Sequence, residues 1–191
     1  MNSSSSTGRR AQILAVAAEL FADRGFHGVS VGELGAACGI SGPALYRHFP
    51  SKDAMLAEML VSISEELLAV GRERVAEAGG AAEAVVALVR WHIDFALHNQ
   101  PLIVVQDRDW TSLPETARRR VRSLQRQYVE LWVAQLVALH PGLAEARARA
   151  QAHAVFGLLN STPHSTAGGA HLGEPEMAAL LEQMALAALG A

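Results

Sequence analysis

Ser30-Val-Gly-Glu-Leu-Gly-Ala-Ala-Cys-Gly-Ile-Ser-Gly-Pro-Ala-Leu-Tyr-Arg-His-Phe-Pro-Ser-Lys-Asp53 is the stretch on which the fold turns. It reads as two short helices about a tight turn. Ser30 can cap the first, with Glu33 three residues on, as in a capping box. That helix ends near Cys38–Gly39, where glycine can take the positive φ a turn requires. The second starts after Ser41, carries Pro43 in its first turn and runs to about Phe49. Leu34, Ala37, Ile40, Leu45 and Phe49 form an apolar side that can pack against Leu20 and Phe21 of a preceding helix. The opposite side presents Ser41, Gly42, Ala44, Tyr46, Arg47 and His48, on an element of the width that the DNA major groove admits.

Outward from this motif nearly everything reads as helix. Arg9–Arg24 carries Ile13, Val16, Ala17, Leu20 and Phe21 on one stripe and stops at Gly25. Ser51 caps a long fourth helix, residues 52–74, with Met55, Met59, Ile63 and Leu67 spaced by four. Further helices are expected over 82–98, 101–108, 114–139, 143–161 and 174–189, separated by Gly79–Gly80, Pro101, Pro114, Pro141–Gly142, Pro163 and Gly168–Gly169. Pro163–Gly173 is the longest expected loop. No stretch alternates as a strand would. The expectation is an all-α chain of about nine helices: a flexible Ser-rich tail over 1–8, a three-helix helix-turn-helix domain over 9–54, and a helical ligand-binding and dimerisation domain over 55–191.

Composition narrows the function. No apolar run reaches the ~20 residues of a membrane span. The N-terminal segment lacks the apolar stretch of a signal peptide. The single cysteine, Cys38, leaves no internal disulfide and fits a cytoplasmic protein. Net charge is -3, but residues 1–54 carry five cations (Arg9, Arg10, Arg24, Arg47, Lys52) against four carboxylates (Glu19, Asp23, Glu33, Asp53). The electrostatic footprint is weak, so DNA binding rests on motif and geometry.

The run Ala44-Leu-Tyr-Arg-His-Phe-Pro-Ser-Lys-Asp53, with the lead-in Ala18-Glu-Leu-Phe-Ala-Asp-Arg-Gly-Phe26 and Ser30, resembles the signature of the TetR (tetracycline-repressor) family over roughly residues 9–56. The resemblance implies phosphate contacts from Tyr46, His48 and Lys52, the chain's one lysine. It also implies a capping residue at Ser30 that touches phosphate, and contact with bases or nearby backbone at Pro43, Ala44 and Arg47. Physically, Arg47 is the best candidate for bidentate guanine readout. Gly32 and Gly42 stand where some family members carry larger base-reading side chains, which leaves more of the recognition to DNA shape.

The remaining chain concentrates its aromatics between residues 83 and 162: Trp91, Phe95, Trp110, Tyr128, Trp132 and Phe156. On helix 114–139 the stripe is Val121, Leu124, Tyr128, Leu131, Trp132 and Leu136. These are core residues first, but a Trp-rich core with interspersed His, Asn and Gln also suits a cavity between helices. The resemblance implies that this region encloses a small-molecule effector, and His92, Gln106, Gln125, His153 and Asn160 are the polar candidates near it. Ala146, Ala150, Ala154 and Gly157, and then Met177, Leu180, Leu181, Met184 and Ala188, suit two helices that meet a second copy, which is where the resemblance puts a homodimer interface.

No cofactor or metal is expected. His92 and His98 do not share a helical face, and His153, His164 and His171 straddle a loop. Arg118, Arg119, Arg120, Arg122 and Arg126 read as a solvated face, or as an attractor for an anionic ligand such as a coenzyme A thioester. The expected working form is a dimer on a palindromic operator, with recognition helices ~34 Å apart. An effector favouring one arrangement would release the DNA. Two alternatives stand: control by a protein partner without a small ligand, and a helical enzyme using the Asn160–Ser165 stretch.

Overall fold

The structure, a computed structural model, describes residues 3–165 and 172–191. Within them it is helical, without a strand. The elements are α1 (Ser3–Arg24), α2 (Val31–Ala37), α3 (Gly42–Leu45), α4 (Lys52–Glu77), α5 (Ala81–His98), α6 (Gln100–Asp109), a 3-10 turn at Trp110–Ser112, α7 (Glu115–Leu139), α8 (Glu145–Leu159), α9 (Thr162–Ser165) and α10 (Glu174–Leu189).

Most ends fall at the Pro and Gly breakers, with three differences. The tail expected over 1–8 is helical from Ser3, while Met1 and Asn2 lie outside the described residues. The serine run holds no proline, and extending a formed helix needs only one residue fixed per hydrogen bond gained. α3 is regular for four residues and continues to His48 as tight turns. The expected Pro163–Gly173 loop begins inside α9, and residues 166–171, His171 among them, lie outside the described residues.

The chain divides into two compact units. The first holds residues up to Ser62 together with Pro101–Val121, and the second holds Ile63–Gln100 with Arg122–Ala191. The packing therefore differs from a division at residue 54. α2 and α3 have seven and four residues and bury little apolar surface alone. Their core is completed from far along the chain. Ile13, Ala17 and Phe21 of α1, Leu34, Leu45 and Phe49 of the motif, and Met55, Leu56, Met59 and Leu60 of α4 pack with Val105, Leu113, Ala117 and Val121.

In the second unit α10 runs along α5 and α8. α5 buries Val85, Leu88, Val89, His92 and Ile93, and α7 buries Leu124, Tyr128, Trp132, Val133 and Leu136. α8 turns Ala148, Ala152, Val155 and Leu159 inward and leaves Ala146, Ala150, Ala154 and Gly157 exposed. On α10, Leu181, Ala185 and Leu189 are buried while Leu180 and Met184 stay exposed. Leu181, grouped above with the outward stripe, thus belongs to the core, because four-residue spacing puts it on the line of Ala185 and Leu189. No described helix is long and apolar enough to cross a membrane.

Because Leu113 is buried in the core of the first unit, Leu113→Ala is expected to destabilise that unit by about 2–5 kcal/mol. Chemical unfolding with hydrogen exchange checks this: protection should fall across α1–α3, some sixty or more residues upstream in sequence, and an effect confined to residues 101–121 would contradict the packing described.

Candidate functional site

The motif is built as its residues require. Ser30 caps α2: its Oγ accepts from Glu33 N at 3.2 Å and donates to Glu33 Oε2 at 2.6 Å, while Ser30 N donates to Oε2 at 2.8 Å. Arg24 holds the other Glu33 oxygen at 3.0 Å. Gly39 sits at φ +65°, as the turn needs. Gly35 permits a close approach, since a Cβ there would lie 2.8 Å from the Ile40 carbonyl. Ser41 caps α3 by accepting from Ala44 N at 3.3 Å.

With Leu45 and Phe49 anchored in the core, the opposite face is outward. Ser41, Pro43, Tyr46 and Arg47 are exposed, and Gly42, Ala44 and His48 are half-buried. The structure gives Lys52 a further task. Its ammonium donates to the carbonyls of Phe26 at 2.7 Å and Val29 at 2.8 Å and lies 4.4 Å from the Phe26 ring centroid. It ties down the α1–α2 connection, and one of its three N–H groups remains beyond those two bonds.

Sequence reasoning missed two arginines at the start of α1. Arg9 donates to the Cys38 carbonyl at 2.6 Å. Arg10 donates to the His48 carbonyl, pairs with Glu58 and stands 4.4 Å over the Phe49 ring. An adjacent arginine pair with no carboxylate before Glu19 to engage it was the available signal.

In the second unit six of the candidate effector residues gather: His92, Phe95, Tyr128, Trp132, Phe156 and Asn160. His92 stacks on Phe156 at 4.9 Å and on Tyr128 at 5.7 Å, with Phe95 and Trp132 edge-on. Burial pushes the His92 imidazole down to about 4, against an opposing bond from Asn160, so the ring is neutral at pH 7. Asn160 Oδ1 at 3.1 Å assigns the remaining proton to Nε2, and Nδ1 is left to accept from the Tyr128 hydroxyl at 3.4 Å. Burial also raises the Tyr128 phenol, which stays protonated. Trp132 is fully buried beside them.

The other candidates lie elsewhere. Trp91 is half-buried, donates to the Leu67 carbonyl at 3.1 Å and lines an open groove with Arg74, Val86, Ala87, Arg90 and Asp94. Gln125 is half-buried one turn before Tyr128, and His153 is exposed on α8. Gln106 and Trp110 belong to the first unit, where Trp110 packs against its core. Their position between two aromatic-rich helices in sequence suggested otherwise, but α6 packs with the N-terminal helices. Arg118 and Arg119 pair with Glu115 at 3.0 and 3.9 Å, and Arg120 and Arg122 also have partners, so most of that basic run is already engaged.

A capped two-helix turn, locked by a third helix and presenting Tyr46 and Arg47 outward, is the architecture of a DNA-binding regulator of the helix-turn-helix class. The chain matches the sequence model of the bacterial regulatory proteins of the tetR family over residues 13–59, and that of the tetracyclin repressor-like C-terminal domain over residues 78–189. It is 30% identical over 138 residues to the HTH-type transcriptional repressor KstR2 of Rhodococcus jostii (strain RHA1), covering 72% of this chain and 68% of that one. A TetR-family transcriptional regulator from Bordetella parapertussis has a solved structure that matches at a TM-score of 0.81, with 25% identity and 93% of each chain covered. AibR, solved in complex with isovaleryl coenzyme A and operator DNA, matches at a TM-score of 0.71, with 20% identity, covering 92% of this chain and 97% of that one. The chain belongs to the TetR family and is a DNA-binding transcriptional regulator.

The buried His92 has a pH signature. Its folded value of about 4 lies below the ordinary 6.5. The unfolded ring therefore takes a proton that the folded one refuses, and its contribution is complete above pH 6.5 and lost as pH falls toward 4. Between pH 7 and pH 5 the unfolding free energy should drop by about 2 kcal/mol from this residue. Urea unfolding at both pH values checks it: His92→Gln should flatten the dependence, and an equal slope in both proteins would contradict the assignment.

Proposed function

We propose that the chain works in the cytoplasm as a homodimeric repressor, released from a palindromic operator by a small apolar or acyl-type effector. The observation that carries this reading is the recognition face, where Tyr46 and Arg47 stand exposed on a helix whose opposite side, Leu45 and Phe49, is locked in the core. In this reading Arg47 takes a guanine edge, and Tyr46, His48 and the spare Lys52 N–H take phosphates. Ser41, Gly42, Pro43 and Ala44 bring the backbone close to the duplex. Ser30 chiefly holds α2 in place through Glu33, with phosphate contact secondary. Gly32 and Gly42 offer no side chain to the bases, so deformability contributes to selectivity.

The exposed faces of α8 and α10 support the dimer. Leu180 and Met184 are 41% and 45% exposed beside the outward Ala146, Ala150, Ala154 and Gly157 stripe, and two such faces from each copy would bury large apolar side chains against small ones. For the effector, the support is the aromatic cluster around His92, which offers polar atoms of fixed protonation inside an apolar surround. The neutral, internally hydrogen-bonded polar groups and the aromatic ring faces around them suit a ligand with an uncharged, apolar body, as in the acyl part of a thioester. The fold likeness to AibR, itself solved with isovaleryl coenzyme A, fits that choice. Competing control by a protein partner predicts no response to any small molecule.

Operator-bound protein titrated with short- and long-chain acyl-coenzyme A esters, the free acids and coenzyme A alone tests the reading. Release by an ester at concentrations where coenzyme A has no effect is the expected result, and retention of DNA throughout would count against an acyl effector. Arg47→Ala should cost about 1–3 kcal/mol of operator binding and relax preference at one guanine, as read from binding to a set of single-base operator variants. Leu180→Glu combined with Met184→Glu should give monomers by sedimentation and weaken operator binding by about a hundredfold or more. A doubly substituted protein that remains dimeric would place the interface elsewhere.

A further inference from the structure

The α1–α2 connection decides where α2, and hence α3, begins, and it is gripped from α6 by residues distant in sequence. At its C-terminus α1 runs out of helical donors, the last being the Gly25 N–H, which donates to the Phe21 carbonyl at 2.8 Å. Arg108 adds a side-chain cap: Nη1 donates to the Ala22 carbonyl at 3.0 Å and Nη2 becomes a second donor to the Phe21 carbonyl. The guanidinium also places positive charge at the negative end of the helix dipole. The next residue, Asp109, is 7% exposed and accepts from Phe26 N at 3.2 Å through Oδ2, which lies 3.5 Å from Arg108 Nη2. Ser112 Oγ and His27 Nε2 meet 2.9 Å apart just beyond.

Phe26 is thus held through both of its flanking peptides. Its N–H is taken by Asp109 of α6 and its carbonyl by Lys52 of α4. Its ring lies under the Lys52 ammonium and edge-on to Phe21 at 5.3 Å. Four residues later Ser30 opens α2. A change in the backbone angles at Phe26 would carry Ser30, α2 and the turn at Gly39 with it, and so re-aim Arg47.

We infer that Arg108 and Asp109, at the C-terminal end of α6, are positioning residues for operator recognition, and that α6 is thereby a working part of the DNA-reading unit. Neither touches DNA in this account. Both act through the α1–α2 connection. Side chains that merely filled space would not need two donors on adjacent carbonyls and a nearly buried carboxylate on the very next residue.

The experiment compares Arg108→Ala and Asp109→Ala with Arg108→Lys and Asp109→Asn in the full-length chain. The lysine keeps a donor for the α1 carbonyls and the asparagine keeps an acceptor for Phe26 N–H. The inference rests on operator recognition by the wild-type chain, so the probe is a duplex the wild type selects from random sequence, and a wild type that selects none overturns both. The alanine variants should lose operator binding by roughly tenfold or more, with non-specific duplex affinity within about threefold. Exchange should quicken at the amides of residues 25–30, while dimer mass and the melting of the remaining helices hold. The lysine and asparagine variants should stay near wild type in selectivity. Wild-type selectivity in both alanine variants would overturn the proposal. So would a parallel loss of specific and non-specific binding, because that marks general unfolding or a direct phosphate contact. If an alanine variant does not fold, the conservative pair decides: the proposal stands if they retain selectivity with protected amides at 25–30, and falls if selectivity is lost while those amides stay protected.

Discussion

Backbone polar groups at the end of α1 need partners, and the way they are met organises the DNA-reading unit. A helix that stops leaves carbonyls exposed, and the chain here turns sharply at Gly25, φ +80°, whose N–H is the last to close back on α1. Arg108 from α6 donates to the Phe21 and Ala22 carbonyls, and Lys52 from α4 to those of Phe26 and Val29 in the connection that follows. Each bond is modest on its own, of the order of 1 kcal/mol net and somewhat more for a charged donor. Their arrangement matters more than their sum, since they converge on the few residues that launch α2. From sequence Lys52 reads as a phosphate ligand alone, whereas in the structure it also ties down the connection.

The second unit solves a different problem. Its core takes in polar groups, and they are accounted for in one direction: Nε2–H of a neutral His92 donates to Asn160, and the Tyr128 hydroxyl donates to Nδ1. The Trp132 indole packs edge-on against His92 and Phe156 beside that chain.

Much of the architecture was legible because local signals agreed. Ser30 with Glu33, Gly39, and Ser41 with Pro43 each mark a helix end by a mechanism the structure shows in operation. Later helix ends follow Pro and Gly breakers to within a few residues. Three kinds of feature were not legible. The start of α1 at Ser3 follows from propagation of an established helix, which composition does not reveal. The grouping of Pro101–Val121 with the N-terminal helices depends on contacts some eighty residues apart in sequence, and this is why Gln106 and Trp110 fall in the first unit and the His92 cluster in the second. The direction of His153 and Leu181 is set by which side of α8 and α10 meets α5, and in alanine-rich helices the apolar stripe is too wide to choose a side.

The central claim is that α3, held as described, reads DNA as one half of a symmetric pair. Selection of duplexes from a random pool by the full-length dimer, followed by sequencing, tests it most directly. The account predicts enrichment of an inverted repeat whose half-sites are about 10–10.5 base pairs apart, or a multiple of that spacing. Enrichment of a single unrepeated site, or of no sequence at all at low salt, would contradict it.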